Sequence, residues 1–193
     1  MKRERRAAAS EPAWGDYLDR RPILVAIAGP NGAGKSTFFE AHLKSCGLRF
    51  LNADLLAREF DVNAYEAAQM AGVLRAELVA QRESFIFETV FSDPVGDKLG
   101  FLKQAAQSGY AVVLCFIRIA DADMSEQRVS LRVSQGGHDV PNEKLVERFP
   151  RTLANLAAAI RELPCVLIFD NSDLRNPFRH VATHMNGRRV WPK

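Results

Sequence analysis

Ile27 to Phe38 reads IAGPNGAGKSTF, and this stretch constrains the fold more than any other in the chain. Gly29-x-x-x-x-Gly34-Lys35-Ser36 has the full phosphate-loop spacing. The apolar run Ile23 to Ala28 feeds it as a buried strand, and a helix pattern from Lys35 to Lys44 leaves it. That order is what the chemistry needs. A glycine-rich turn aims backbone N–H groups at phosphate oxygens, and the helix amino terminus adds partial positive charge. Gly29, Pro30, Asn31, Gly32, Ala33, Gly34, Lys35, Ser36 and Thr37 are therefore expected to hold ATP, with Lys35 at the β- and γ-phosphates and Ser36 on Mg²⁺.

The remaining pattern fits a sheet built around that loop. Leu48 to Leu51, Ser84 to Glu88, Ala111 to Ile119 and Val166 to Phe169 read as further strands. Helical stretches fall at Ala64 to Arg82 and at Lys98 to Ser108, the latter ended by Gly109. Runs apolar on both faces, separated by helices, predict an α/β fold with a parallel sheet of about five strands flanked by helices. A helical insert, about 125–162, is broken on paper by GGH at Gly136 to His138 and by Pro141 and Pro150, which predicts separate short helices. Asn186-Gly187 between VATHM and RRVW predicts a carboxy-terminal hairpin of two edge strands.

The chain has 193 residues, 47% of them apolar and 25% charged, as expected of one soluble domain. No apolar run reaches the roughly 20 residues of a membrane-spanning helix. The net charge is +3, and Lys2, Arg3, Arg5 and Arg6 against Glu4 account for all of it. Residues 1–21 are accordingly expected to be a basic flexible tail without a secretory h-region, ahead of a domain over 22–193, and no basic face for nucleic acid is implied. Cys115 and Cys165 lie in strand-like runs and no CxxC pair is present, so the three cysteines read as thiols in a reducing cytoplasm.

Ligands of an open parallel sheet gather at the carboxyl ends of its strands. Asp54, after the second strand, has the position of a base for an acceptor hydroxyl and equally that of an N-cap for the segment beginning at Leu55. Glu88 closes an apolar strand, where a carboxylate is costly unless solvated or paired, and is expected at the acceptor hydroxyls. The insert carries Arg128 and Arg132, four apart, then Arg148 and Arg151, three apart, across the GGHDVP joint. Such a pair of helices suits a lid that closes over the triphosphate. His138 reads as part of the hinge. Asp170 sits like a Walker B aspartate but is followed by Asn171, where an ATPase that activates water would have glutamate; with Ser172 these residues either line the nucleotide or cap the next turn.

The phosphate loop, NAD, FET, the arginine insert with GGHDVP and the terminal DNS occur in this order, and the chain thereby resembles the zeta toxin family of P-loop kinases, in its short single-domain branch. The resemblance covers roughly Pro22 to Ser172. It implies transfer of the γ-phosphate of ATP to the 3′-hydroxyl of UDP-N-acetylglucosamine. It further implies Asp54 as catalytic base, Glu88 and Thr89 as acceptor-site residues with Arg128 beside them, Lys35 and Ser36 at ATP and Mg²⁺, and Arg132 and Arg148 as the lid arginines. An antitoxin partner is implied as well. The carboxy-terminal extension of the longer toxins, which helps shape the sugar-nucleotide pocket, is expected to be missing. Rival readings are a small-metabolite kinase, an ABC-type ATPase and a GTP switch. VSQGG at Val133 to Gly137 superficially matches an ABC signature but leads into a proline-containing loop, and no NKxD guanine-reading motif occurs.

Overall fold

The computed structural model describes residues 14–134 and 140–192. Seven strands form one sheet: β1 (Ile23–Ala28), β2 (Arg49–Leu51), β3 (Phe85–Thr89), β4 (Ala111–Arg118), β5 (Cys165–Asp170), β6 (Arg179–Met185) and β7 (Arg188–Trp191). Their spatial order is β2-β3-β1-β4-β5-β6-β7. The first five run parallel, and β6 and β7 add antiparallel edges through the turn at Asn186-Gly187. The helices are α1 (Lys35–Phe38), α2 (Ala53–Phe60), α3 (Ala64–Ala80), α4 (Asp97–Gln107), α5 (Ala122–Ser134) and α6 (Asn142–Glu162). Past Phe38 the first helix widens into a π-helical turn over Phe39–Leu43 and tightens to 3₁₀ geometry over Lys44–Cys46.

Every residue of β1 and β5 is buried, as central parallel strands require. Alternation along the strands splits the core in two. Leu24, Ala26, Phe85, Phe87, Leu114 and Phe116 face α3, α4 and α6. Ile23, Val25, Ile27, Ile86, Cys115 and Ile117 face Phe38, Phe39 and Leu43 on the other side. Burial pushes the Cys165 thiol up to about 12 and raises that of Cys115 too, so both are inert fillers of the core.

Three expectations change. The insert is not a run of short helices, because α6 continues unbroken from Asn142 through Pro150 to Glu162, with Pro141 at its amino-terminal cap. Pro150 and Val146 are both exposed, so the carbonyl that the proline leaves without a donor lies on the solvent side of the helix. The joint itself, Gly136 to His138, lies outside the described residues. The expected tail also ends early. Trp14–Leu18 form a 3₁₀ turn that buries Leu18 against the core. Finally, α2 is a helix of its own before α3, and its N-cap is Asn52 rather than Asp54.

Candidate active site at the carboxyl edge of the sheet

Strand register sets the site. Ile27 pairs with Glu88 and Ala28 with Thr89, so the carboxylate of β3 arrives beside the phosphate loop as that loop leaves β1. The loop is held by close backbone approach. A Cβ on Gly29 would stand 2.2 Å from the Ile117 carbonyl oxygen of β4, so only glycine fits. Gly34, at φ 87°, opens α1, and a Cβ there would meet Asn171 Nδ2 at 2.8 Å. Asn171 Nδ2 donates to the Ala33 carbonyl at 2.9 Å, Ser125 Oγ donates to the Asn31 carbonyl at 2.7 Å, and Lys35 Nζ donates to the Pro30 carbonyl at 3.0 Å. Thr37, one turn position on, is exposed.

Three side chains then converge on one carboxylate. Glu88 Oε2 accepts from Ser36 Oγ at 2.7 Å and from Asn52 Nδ2 at 2.9 Å, while Glu88 Oε1 lies 3.9 Å from Lys35 Nζ. Lys35 is only 7% exposed. Burial pulls its ammonium below the usual lysine range, Glu88 and then Asp54 push it back up, and Arg132 adds to the lowering. Asn52 Oδ1 meanwhile accepts the N–H groups of Asp54 and Leu55, so this one amide both opens α2 and anchors Glu88. The cap frees Asp54, at the second position of the helix and exposed, to face the ligand space.

A cleft of about 550 Å³ joins these groups, a size suited to a small-molecule ligand. Asn31, Gly32 and Lys35 line it from the phosphate loop, and Asp54, Glu88 and Thr89 from the strand ends. Helices α5 and α6 contribute Arg132, Lys144, Arg148 and Arg151. Thr89 Oγ1 also accepts the Phe91 N–H at 3.1 Å, which shapes the turn after β3. Arg128 is outside the cleft lining. Its Nη2 donates to the Asn171 carbonyl at 2.9 Å, bracing the loop from behind. Asp170 does not reach into the cleft either: Ser172 N–H, Arg118 and Arg179 surround its carboxylate. The turn-capping role thus falls to Asp170 and the support of the nucleotide loop to Asn171.

Sequence reasoning passed over Asn52, and it passed over Arg75 of α3, which is nine-tenths buried yet lines the cleft. A signal existed for each. Asn52 is an asparagine between a strand and a helix, the preferred N-cap position, and Arg75 continues an alanine stripe at helical spacing.

The zeta toxin family model matches residues 14–180. No curated protein matches the chain. Among solved structures, the AvrRxo1-ORF1:AvrRxo1-ORF2 complex with ATP is similar at 17% identity and a TM-score of 0.68, covering 91% of this chain and 62% of that one. A structure from the PezAT chromosomal toxin–antitoxin system of Streptococcus pneumoniae is similar at 18% identity and a TM-score of 0.56, covering 85% and 72%. A putative kinase from Chloroflexus aurantiacus gives 20% identity and a TM-score of 0.51, covering 67% and 80%. At these identities the structures bear on the fold, a P-loop kinase architecture. The family match runs from the turn before β1 into β6, and on that match the chain belongs to the zeta toxin family.

Proposed function

We propose that the chain is an ATP-dependent phosphotransferase that moves the γ-phosphate of ATP to a hydroxyl of a sugar nucleotide, with UDP-N-acetylglucosamine as the acceptor. The observation that carries this reading is the convergence of Lys35, Ser36 and Asn52 on Glu88, with Asp54 and the lid arginines on the same cleft. A water-activating ATPase fits less well, because the acid that ends β5 is occupied by arginines and a turn N–H. In this reading Asp54 takes the proton of the acceptor hydroxyl as its oxygen bonds to the γ-phosphorus. The bond from that phosphorus to the β–γ bridging oxygen breaks, and ADP leaves with the electron pair. Lys35, Arg132 and Arg148 neutralise charge on the transferring group, and Glu88 orients the acceptor.

Ser36 and its neighbours also suit Mg²⁺, since a hydroxyl that donates its proton to Glu88 turns a lone pair outward and the donor set is all oxygen. Ser36 would hold the ion, which supplies charge neutralisation to the β- and γ-phosphates. An antitoxin protein is the partner proposed, in line with the toxin–antitoxin origin of the PezAT structure. We place the activity in the cytoplasm, where ATP and UDP-sugars are made; no helix among the described residues is long and apolar enough to cross a membrane. The test is incubation with γ-labelled ATP, Mg²⁺ and a panel of UDP-sugars. Wild type should label UDP-N-acetylglucosamine, and Asp54→Asn should lose at least a hundredfold in turnover while still binding ATP. Near-normal turnover by Asp54→Asn would remove the base assignment, and release of free phosphate alone would remove the kinase reading.

A further inference from the structure

Helix α3 lays Ala64, Ala68 and Ala71 along the cleft, and the next residue of that stripe is Arg75. The alanines leave room that larger side chains would fill, and the arginine stands at the end of it. Only 9% of Arg75 is exposed. Its guanidinium carbon lies 5.1 Å from the centre of the Phe87 ring and 5.9 Å from that of Phe101. Burial draws its pKa below the usual arginine value, but a guanidinium stays protonated in a protein. Among the described residues no carboxylate stands within ion-pair distance of Arg75, and no hydrogen-bond acceptor engages it.

No Arg75 nitrogen is sealed from the cleft, yet a cation so largely covered and without a counter-charge is costly to hold. Aromatic faces return only about 0.5–2 kcal/mol. The compensation missing from the fold has a natural source in the cleft that Arg75 lines. The charge of that cleft points the same way. Its described lining holds seven cationic residues, Lys35, Arg75, Lys98, Lys144 and Arg132, Arg148 and Arg151, against three carboxylates, Asp54, Glu88 and Asp93. Lys35 and the lid arginines face the transferred phosphoryl group, which leaves Arg75 and Lys98 on the α3 and α4 side for a second anion.

We propose that Arg75, backed by Phe87 and Phe101 and assisted by Lys98, is an anion subsite of the acceptor, and that the acceptor carries a phosphate there while its hydroxyl reaches Asp54. The proposal rests on reading the cleft as a phosphotransferase acceptor site. It makes neutral sugars and polyols poor acceptors, because they would leave the guanidinium buried and unmatched.

The test fills the phosphate loop with a non-hydrolysable ATP analogue and Mg²⁺ and then titrates pyrophosphate by calorimetry. Arg75→Met keeps the length of the apolar stem but removes the charge. It should weaken pyrophosphate at least tenfold, and Arg75→Lys should recover part of the loss. In the wild type, pyrophosphate should slow amide exchange over Ala71 to Leu78. Equal affinity in wild type and Arg75→Met, or protection confined to Gly29 to Thr37, overturns the subsite. Should Arg75→Met not fold, the wild-type exchange map decides alone. In the transfer assay Arg75→Met should raise KM for UDP-N-acetylglucosamine with kcat little changed, and an unaltered KM counts against the proposal. Transfer without any pyrophosphate site at Arg75 sinks the subsite and spares the kinase. A pyrophosphate site at Arg75 without transfer to any hydroxyl does the reverse.

Discussion

At position 52 one amide is used at both ends. Oδ1 accepts from the backbone of Asp54 and Leu55, and Nδ2 donates to Glu88 Oε2. Aspartate caps a helix about as well as asparagine, but it has no donor to offer Glu88. Asn52→Asp therefore separates the two tasks. It should lower stability by at least the ~1 kcal/mol expected from losing the cap in Asn52→Ala, because a second carboxylate then faces Glu88. Wild-type stability of Asn52→Asp in urea unfolding would reduce the residue to a cap. The case also shows what a sequence reveals of a site. Lys35, Asp54 and Glu88 are legible because each ends a strand or opens a helix, where the sheet topology collects ligands. The bond from Asn52 to Glu88 spans 36 positions, and the rings behind Arg75 come from β3 and α4, so neither appears in any local pattern.

Helix α6 does more than bring Arg148 and Arg151 to the cleft. Thr152 Oγ1 donates to the carbonyls of Val90 and Arg148, and Asn155 Nδ2 donates to those of Phe91 and Asp93. The helix thereby clamps the loop that follows β3, in which Phe91 is held at φ 62° with its side chain buried. A non-glycine residue at positive φ persists only where its surroundings over-determine it. Asn155→Ala would leave two carbonyls without their donor. We expect a loss of about 1–3 kcal/mol and faster amide exchange over Phe91 to Val95, and unchanged exchange there would show that the loop holds itself. The strand set, the helices α3 and α4 and the hairpin were legible from period and turn residues. The continuity of α6 was not, since an interior proline usually ends or kinks a helix, and here Pro150 is exposed, where water can take up the carbonyl it orphans. The sequence offers a capped segment at Leu55 but not the true cap of α2 at Asn52 or its separation from α3, because the helix is only 8 residues long and ends at Asp61, whose φ of 50° turns the chain straight into α3.

Across the molecule, the turn after β5 is where the parallel sheet, its antiparallel edge and the phosphate loop are tied together. Asp170 pairs with Arg118 of β4 at 2.9 Å and lies 3.7 Å from Arg179 of β6, and the adjoining Asn171 holds the Ala33 carbonyl. Burial by itself raises the Asp170 pKa, but the Ser172 hydroxyl and N–H, with Arg118, outweigh it and hold the carboxyl below its ordinary value of 3.8. A carboxyl depressed in the folded state contributes stability that is fully present above the unfolded pKa and lost as pH falls through the folded one. Asp170→Asn should therefore be less stable than wild type at pH 7, by about 1 kcal/mol given that both arginines are half exposed. The gap should hold down to about pH 4 and close below it, because only the wild type then loses the charge. Urea midpoints for both proteins across that range supply the check. A gap that persisted unchanged at the acid end would assign the contribution of Asp170 to its packing at the strand end, and the sheet would then be joined there by shape rather than by charge.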